Sequence, residues 1–285
     1  MITVTGATGR LGRLTVAALL ERGVPAGRIV AAVRSPAKAA DLAERGVQVR
    51  RADYDEPATL ATALAGTDAL LLVSGSEVGR RLPQHRNVVE AAVAAKVGLV
   101  AYTGILNSDT TKMTLAEEHK ATEALIRESG LPYVFLRNGW YVENYTGDLA
   151  PALESGALIG AAGDGRIAAA TRADYAAAAA AVLAGDGHAG KVYELGGDTP
   201  FTMTELAAEL SRQTGRRIEY RNLSEEEYAE ALVSAGVPEP FARILADSDT
   251  GIARGDLTTG SGHLRALIGR PTTTLADAVA AALKG

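Results

Sequence analysis

Short apolar runs alternate with longer amphipathic segments over the first two-thirds of the chain, and this alternation limits the fold more than any other feature. The apolar runs, rich in β-branched residues or Leu, are residues 2–5, 29–33, 47–50, 69–73, 99–103 and 133–136. Between them, apolar residues recur at three- and four-residue spacing, as in helices with one buried face. Largely apolar strands separated by helices indicate a parallel sheet covered on both sides. The sequence therefore predicts an α/β fold with a doubly wound, Rossmann-type parallel sheet.

The pattern changes after Tyr145, where strand-like segments become rare. The predicted elements are a strand pair in 157–171 around a Gly-Asp-Gly turn, a strand at 191–195, helices at 174–184, 202–214, 224–236 and 274–284, and a Gly- and Thr-rich loop at 250–262. These strands are too few for a second large sheet. We expect residues 1–145 to form the main domain, with 172–197 returning to its sheet. Residues 146–171 and 198–285 then form a smaller, mostly helical lobe beside a cleft.

Composition excludes several classes of protein. The chain has 29 Lys and Arg against 34 Asp and Glu, which argues against a dedicated nucleic-acid-binding protein. Cysteine is absent, which excludes disulfides, thiol nucleophiles and cysteine metal sites. The N-terminus enters a strand without a signal-peptide pattern, and no apolar run approaches the roughly 20 residues that span a bilayer. We expect a cytoplasmic protein with no membrane or nucleic-acid partner.

A glycine-rich segment, TGATGRLG (5–12), lies directly between the first predicted strand and the first predicted helix. Such a turn needs glycine where backbone torsions are unusual or where a pyrophosphate must approach the main chain. The helix that follows offers unpaired N–H groups and a partial positive charge to an anion. The segment therefore predicts a dinucleotide-binding loop; the alternative is a turn that only permits tight packing. The loop residues are Gly6, Ala7, Thr8, Gly9, Arg10, Leu11 and Gly12.

The second predicted strand ends in AAVRSPAK, which places Arg34 and Lys38 beside the expected position of the adenosine ribose. A site that prefers NAD usually has Asp or Glu here, to accept a hydrogen bond from the ribose 2′-hydroxyl. A guanidinium instead suits a 2′-phosphate, because it carries a positive charge and a fork of donors. The sequence therefore predicts NADP(H) as the cofactor. The alternative is a solvated arginine at the end of a strand.

Further candidate contacts follow the third and fourth predicted strands. Asp53 is expected to meet the adenine ring, and Ser74, Gly75 and Ser76 are expected beside the ribose on the nicotinamide side. Both expectations rest on topology, because ligands of doubly wound sheets bind at the carboxyl ends of the strands.

The catalytic pair that many dehydrogenases of this fold use, a Tyr followed four residues later by Lys, does not occur at any of the nine tyrosines. The four histidines also lack metal-ligand spacing. His119 and Lys120, on the helix before the sixth predicted strand, are candidate proton donors. Two polar residues on a solvated helix face would give the same pattern.

The missing acid–base pair constrains the substrate. Reduction of an ordinary ketone leaves a strongly basic alkoxide, so a general acid contributes substantially. A quinone accepts hydride readily and leaves a less basic, phenolate-like oxygen. Its reduction can therefore depend mainly on proximity and orientation in an apolar pocket.

The segment LPYVFLRNGWYVENY (131–145) concentrates the few aromatic residues of the chain. Tyr133 and Phe135 are expected in the core, on a sixth strand that ends at residue 136. Trp140, Tyr141 and Tyr145 follow the strand end, where they can form the walls of a pocket for a planar ring. The segment therefore favours a small quinone as substrate. It leaves open whether a ring such as Tyr141 donates a proton or only holds the substrate flat.

Seven motifs are spread over nearly the whole chain: TGATGRLG, AAVRSPAK, RRADYDEP, SEVGRRLPQHRNVVEAA, LRNGWYVENY, IGAAGDGRIAAATRADYAAAAA and VYELGGD. Together they closely resemble the type 2 NAD(P)H:quinone oxidoreductases, which belong to the NmrA-like, atypical short-chain dehydrogenase/reductase group. The glycine loop is shared widely across that superfamily, whereas RNGWYVENY and GDGRIAAATRADYAAA are more specific. The resemblance implies an NADPH-preferring, flavin-free reductase of small quinones.

The same resemblance implies cofactor contacts at the glycine loop, at Arg34, at 74–76 and at the segment 138–143, which contains Asn138, Gly139, Trp140, Tyr141 and Glu143. Two other functions stay open at this stage. One is an NADP(H)-binding redox sensor without turnover, as among NmrA-like proteins. The other is reduction of an enone or imine, which would give Lys120 a larger role. A homodimer is a candidate assembly that the sequence does not decide.

Overall fold

The computed structural model describes residues 1–284, and in this range a seven-stranded parallel sheet has the order β3-β2-β1-β4-β5-β6-β8. The strands are β1 (Ile2–Thr5), β2 (Ile29–Val33), β3 (Gln48–Arg51), β4 (Ala69–Leu72), β5 (Leu99–Ile105), β6 (Tyr133–Asn138) and β8 (Val192–Leu195). The strand order changes direction between β1 and β4, which opens a crevice at the carboxyl ends of these two strands. The predicted doubly wound parallel sheet is confirmed.

Helices cover both faces of this sheet. They are α1 (Arg10–Glu21), α2 (Ala40–Glu44), α3 (Pro57–Ala63), α4 (Arg81–Ala94), α5 (Thr114–Glu128) and α8 (Arg172–Ala184). On one face α1 and α8 pack together over the sheet, and on the other face α3, α4 and α5 form a second apolar layer. Strands that are buried on both sides explain the largely apolar sequence of β2, β4 and β6.

A third apolar cluster forms the core of the C-terminal lobe. The elements of the lobe are α6 (Glu143–Thr146), α7 (Ala150–Ser155), β7 (Ala157–Gly160), α9 (Met203–Thr214), β9 (Glu219–Asn222), α10 (Glu225–Ser234), α11 (Glu239–Ala253) and α13 (Leu275–Ala282). Helix α12 (His263–Ile268) instead packs against α8 and β8. Helices α10 and α11 pack against each other, and α11 also contacts α5. The lobe therefore lies beside the carboxyl ends of β5 and β6. No helix in residues 1–284 is long and apolar enough to cross a membrane.

Three predicted elements differ from the structure. The sixth strand continues to Asn138 instead of ending at residue 136. Arg137 is buried within this strand, where its guanidinium donates hydrogen bonds to Glu123 (2.7 Å) and Glu194 (2.8 Å). The expected strand pair in 157–171 is wrong, since β7 pairs instead with β9, in parallel. The predicted loop at 250–262 begins too early, because α11 continues to Ala253.

Candidate functional site

The glycine loop joins β1 to α1 in a tight turn. Gly6 has a positive φ of 56°, and Gly9 is the N-cap of α1. A Cβ atom on Gly12 would overlap the Gly6 carbonyl oxygen and would lie 2.9 Å from the Cα of Ala7. Since Gly9 offers no side chain to cap the helix, the first N–H groups of α1 remain available to an anion. The loop therefore has the geometry of a pyrophosphate site.

A cavity of about 610 Å³, here called the loop cavity, opens at this turn. The predicted cofactor-binding residues that line it are Gly6, Thr8, Gly9, Arg10, Leu11, Gly12, Arg34, Asp53, Ser74, Gly75 and Ser76. Of the predicted residues from Gly6 to Ser76, two lie outside its wall. Ala7 is buried in the core, and Lys38 lies behind the cavity, where its carbonyl accepts a hydrogen bond from Arg13 (3.0 Å).

Arg34 reaches the open end of the loop cavity. Its side chain is 71% exposed, and its Nη1 lies 3.6 Å from Oε1 of Glu77. Glu77 in turn approaches Arg80, which also pairs with Asp55 at 2.9 Å. A guanidinium held at the cavity mouth by such a long and exposed ion pair is free to bind a phosphate. Glu77 itself was not predicted.

A second cavity, of about 740 Å³, continues from the first toward the C-terminal lobe and is here called the aromatic cleft. Arg10, Leu11, Ser74, Gly75, Ser76 and Arg172 line both spaces. The aromatic residues in the wall of the cleft are Trp140, Tyr141, Tyr145, Tyr228 and Phe241. One continuous space therefore connects the glycine loop with an aromatic wall.

The segment after β6 forms the part of the cleft nearest the sheet. Asn138 Nδ2 donates to the hydroxyl oxygen of Tyr141 (3.3 Å), and the guanidinium of Arg172 lies over the Tyr141 ring at 4.6 Å. Burial raises the pKa of Tyr141, so its phenol stays protonated at neutral pH. A Cβ on Gly139 would lie 3.0 Å from the hydroxyl of Tyr175, which explains the glycine. The structure thus brings Asn138, Gly139, Trp140 and Tyr141 together in the cleft.

Arg172 connects the two cavities and was missed by sequence reasoning. Its backbone N–H donates to Oε1 of Glu143 (2.8 Å), and its Nη2 donates to Oδ1 of Asn144 (2.8 Å). All three residues line the aromatic cleft. The motifs RNGWYVENY and GDGRIAAATRADYAAA contain them; Glu143 ends the segment in which the resemblance implies cofactor contacts, whereas Asn144 and Arg172 were not singled out.

His119 lies in the wall of the cleft, whereas Lys120 does not. His119 is 5% exposed, and its Nδ1 is 2.7 Å from the hydroxyl of Tyr102. Burial lowers its pKa well below the usual range, so the imidazole is neutral at pH 7. The alternative of a solvated helix face is therefore wrong for His119. Lys120 donates to the carbonyl of Thr111 (2.9 Å) and pairs with Glu117 (3.0 Å), away from both cavities.

Two further residues of α4 fix the loop after β4. The Gly75 N–H donates to Nε2 of His85 (3.0 Å), and Arg81 Nε donates to the Gly75 carbonyl (2.8 Å). Burial lowers the pKa of His85 to about 3, which keeps Nε2 available as an acceptor. His85 and Arg81 therefore hold the backbone of Gly75 in place beside the cleft. Among residues 1–284, no group of His, Cys, Asp and Glu is arranged to hold a metal ion.

A doubly wound sheet, a glycine loop at its first turn and a basic residue after its second strand define the class of NAD(P)H-binding proteins. The family model described as NAD(P)H-binding matches residues 6–186, and the chain belongs to this family. Within it, the chain belongs to the type 2 quinone oxidoreductases of the NmrA-like group. It is 56% identical to Quinone oxidoreductase 2 of Escherichia coli (strain K12) over 98% of this chain and 97% of that protein.

Two solved structures support this placement. One is the NADPH complex of the quinone oxidoreductase QOR2 from Escherichia coli, with a TM-score of 0.96, 55% identity and coverage of 99% of this chain and 100% of that chain. The other is the triphenylmethane reductase of Citrobacter sp. complexed with NADP(H). Its TM-score is 0.94 and its identity 43%, with the same coverage of both chains.

Proposed function

We propose that this protein is an NADPH-dependent, flavin-free quinone reductase that transfers hydride from the nicotinamide to a small quinone. The observation that carries the proposal is the continuous space from the glycine loop to the aromatic cleft. Such a space holds a dinucleotide at one end and a flat ring at the other. The Escherichia coli relative, which is named a quinone oxidoreductase, supports the same function.

The residues of the loop cavity fit NADPH. The uncapped start of α1 faces the pyrophosphate position, and Gly12 permits the close backbone turn that this position requires. Arg34 and Asp53 both line this cavity, and in this proposal Arg34 binds the 2′-phosphate and Asp53 meets the adenine ring. Bound NADPH supplies the hydride, and the reaction balances as quinone plus NADPH plus one proton to hydroquinone plus NADP⁺.

The cleft residues position the substrate rather than supply a strong acid–base pair. Tyr141 accepts from Asn138 and keeps its own proton, so its hydroxyl can donate to a substrate oxygen. His119 is neutral and is oriented by Tyr102. Lys120 is occupied by Thr111 and Glu117, which weighs against the enone or imine hypothesis that depended on it.

The redox-sensor hypothesis is less well supported than the enzyme. A sensor needs the loop cavity, but it has no use for a cleft of about 740 Å³ with an aromatic wall beside the nicotinamide end. A homodimer stays a prediction.

The proposal is tested by following NADPH absorbance with and without 1,4-naphthoquinone. We expect rapid oxidation of NADPH only when the quinone is present, from protein that carries no flavin absorbance. A parallel titration measures NADPH binding by calorimetry. Tight NADPH binding with no acceleration by any small benzoquinone or naphthoquinone would refute the reductase and favour the sensor.

A further inference from the structure

A buried carboxyl group lies at the end of the aromatic cleft that is formed by the C-terminal lobe. Asp249, on α11, is only 6% exposed and lines the cleft. Its Oδ2 accepts a hydrogen bond from the N–H of Ala161 (2.8 Å). Its Oδ1 has no hydrogen-bond partner within residues 1–284. An unpaired acceptor in the wall of a mostly apolar cleft points to a ligand that pairs with it.

The fold holds this carboxyl group in place. A Cβ atom on Gly160 would lie 2.6 Å from Oδ2 of Asp249, so only glycine lets β7 come close enough for the Ala161 hydrogen bond. The neighbouring Ser248 hydroxyl is used within the helix, where it donates to the carbonyl of Ile244 (2.7 Å). Asp249 is therefore fixed on one oxygen and free on the other.

Three phenols lie near Asp249. Tyr145 from α6, Tyr220 from β9 and Tyr228 from α10 are the ionisable groups that approach it, and burial raises the pKa of each. In the part of the chain that the structure describes, Asp249 forms no ion pair with Lys, Arg or His. On α11 itself, Asp247 is engaged by the N–H of Thr114 at the start of α5 (2.7 Å).

The other charged groups that line the cleft are Arg10, Arg81, Glu143, Asp148 and Arg172. Arg10 and Arg172 line the junction with the loop cavity, Arg81 binds the Gly75 carbonyl, and Glu143 is paired with Arg172. From α5 the cleft receives His119, which is neutral. A carboxylate at Asp249 therefore has no cation beside it, and only 6% of the residue is exposed to water. Burial accordingly raises the pKa of Asp249 to about 6.

The chemistry of a quinone matches a protonated Asp249. Both oxygens of a 1,4-quinone are acceptors, so an ionised carboxylate would repel the one that reaches it, whereas a carboxylic acid donates. A ring in the cleft would also displace water and favour the neutral acid further. We propose that Asp249 binds the far carbonyl oxygen of the quinone as a carboxylic acid, so that substrate binding takes up a proton. This inference rests on the proposed quinone reductase function. It assigns as substrates planar rings that carry a hydrogen-bond acceptor on the side facing Asp249.

The test uses the full-length protein saturated with NADP⁺, which binds the quinone without reducing it. The dissociation constant of 1,4-naphthoquinone is measured between pH 5.5 and 8.5 from the fluorescence of Trp140, the one Trp of the chain. In the wild type the constant should rise with pH above 6, by up to about tenfold per pH unit. In Asp249→Asn, whose amide donates at every pH, it should stay flat. Asp186→Asn, an exposed position after α8 that lies outside both cavities, should follow the wild type.

Calorimetry in buffers of different ionisation enthalpy measures the number of protons taken up per bound quinone. For the wild type, this measurement does not depend on the folding of any variant. We expect net uptake of a fraction of a proton per quinone at pH 7, and no uptake by Asp249→Asn. Quinone binding without proton uptake and without pH dependence would overturn the role of Asp249 and leave the reductase intact. Failure of any quinone to bind the wild type would overturn both.

Discussion

At the scale of single residues, Arg34 is the group expected to distinguish NADPH from NADH. Its exposed guanidinium at the loop cavity can form charge-assisted hydrogen bonds to a 2′-phosphate, which NADH lacks. Such bonds contribute about 1.5–3 kcal/mol, so Arg34→Gln should weaken NADPH binding about 10- to 100-fold. NADH binding should change little. Calorimetric titration of both nucleotides measures the two effects.

The matched control for Arg34 is Arg45→Gln, which removes an exposed arginine outside both cavities. It should leave the affinity for both nucleotides unchanged. Equal losses of NADPH and NADH affinity in Arg34→Gln would contradict the phosphate contact.

Residues beside strand ends were predictable, whereas residues of the lobe were not. The loop residues, Arg34 and Ser74 follow directly after strands, and the carboxyl ends of parallel strands meet at one edge. Tyr228 and Asp249 reach the cleft only because α10 and α11 pack against each other and α11 contacts α5. No local pattern indicates that long-range packing. Asp249 is followed by Thr250 and Gly251, a sequence that is typical of a loop.

At the scale of elements, the junction of β1 and α1 depends on one glycine. Because a Cβ at position 12 would overlap the Gly6 carbonyl, Gly12→Ala must push α1 away from the loop. Overpacking of this kind typically costs about 1–3 kcal/mol of stability. NADPH affinity should fall as well, since the helix start moves from the pyrophosphate. Urea unfolding and nucleotide titration measure the two losses.

Gly27→Ala provides the control for Gly12, because a Cβ at position 27 meets no atom within 4 Å. We expect wild-type stability and NADPH affinity for this variant. Wild-type NADPH binding by Gly12→Ala would show that the turn does not need glycine for the cofactor.

Helix α11 shows why one element was missed. Gly251 lies within it, in a glycine- and threonine-rich stretch that is typical of a loop. In the structure the glycine allows Met113 to approach, since a Cβ there would lie 2.6 Å from the Met113 sulfur. Burial of Ala246 and Ile252 stabilises the helix despite its weak local propensity. Tertiary packing thus overrides the local signal.

At the scale of the whole molecule, the cleft lies between the sheet and the C-terminal lobe, and each contributes different residues to it. The sheet supplies the nucleotide end through β1, β2 and β4, and the lobe supplies the far wall through α10 and α11. Most residues of the loop cavity belong to the strand ends and to the turn before α1. The lobe adds Tyr228, Phe241 and the buried carboxyl group of Asp249 to the aromatic residues that follow β6, so we expect substrate selection to depend on the packing of the lobe against α5.

This arrangement should reduce the stability of the whole protein at neutral pH. The pKa of Asp249 in the folded state is about 6, above the ordinary value of 3.8, because burial disfavours the charged form. The folded state therefore binds this proton more tightly than the unfolded chain does. The stabilisation of the folded state by this bound proton is complete below about pH 4 and is lost as the pH rises through 6.

Asp249→Asn removes this titration and keeps an oxygen that accepts from Ala161. A shift of about two pKa units corresponds to about 3 kcal/mol. The unfolding free energy of Asp249→Asn relative to the wild type should thus increase by about 3 kcal/mol between pH 4 and pH 8. Urea unfolding over this pH range measures the difference. The exposed control Asp186→Asn should show a nearly constant difference. A constant difference for Asp249→Asn would mean that the carboxyl group is hydrated in solution. A widening difference would show that the protein gives up stability to keep a carboxyl group buried in its cleft.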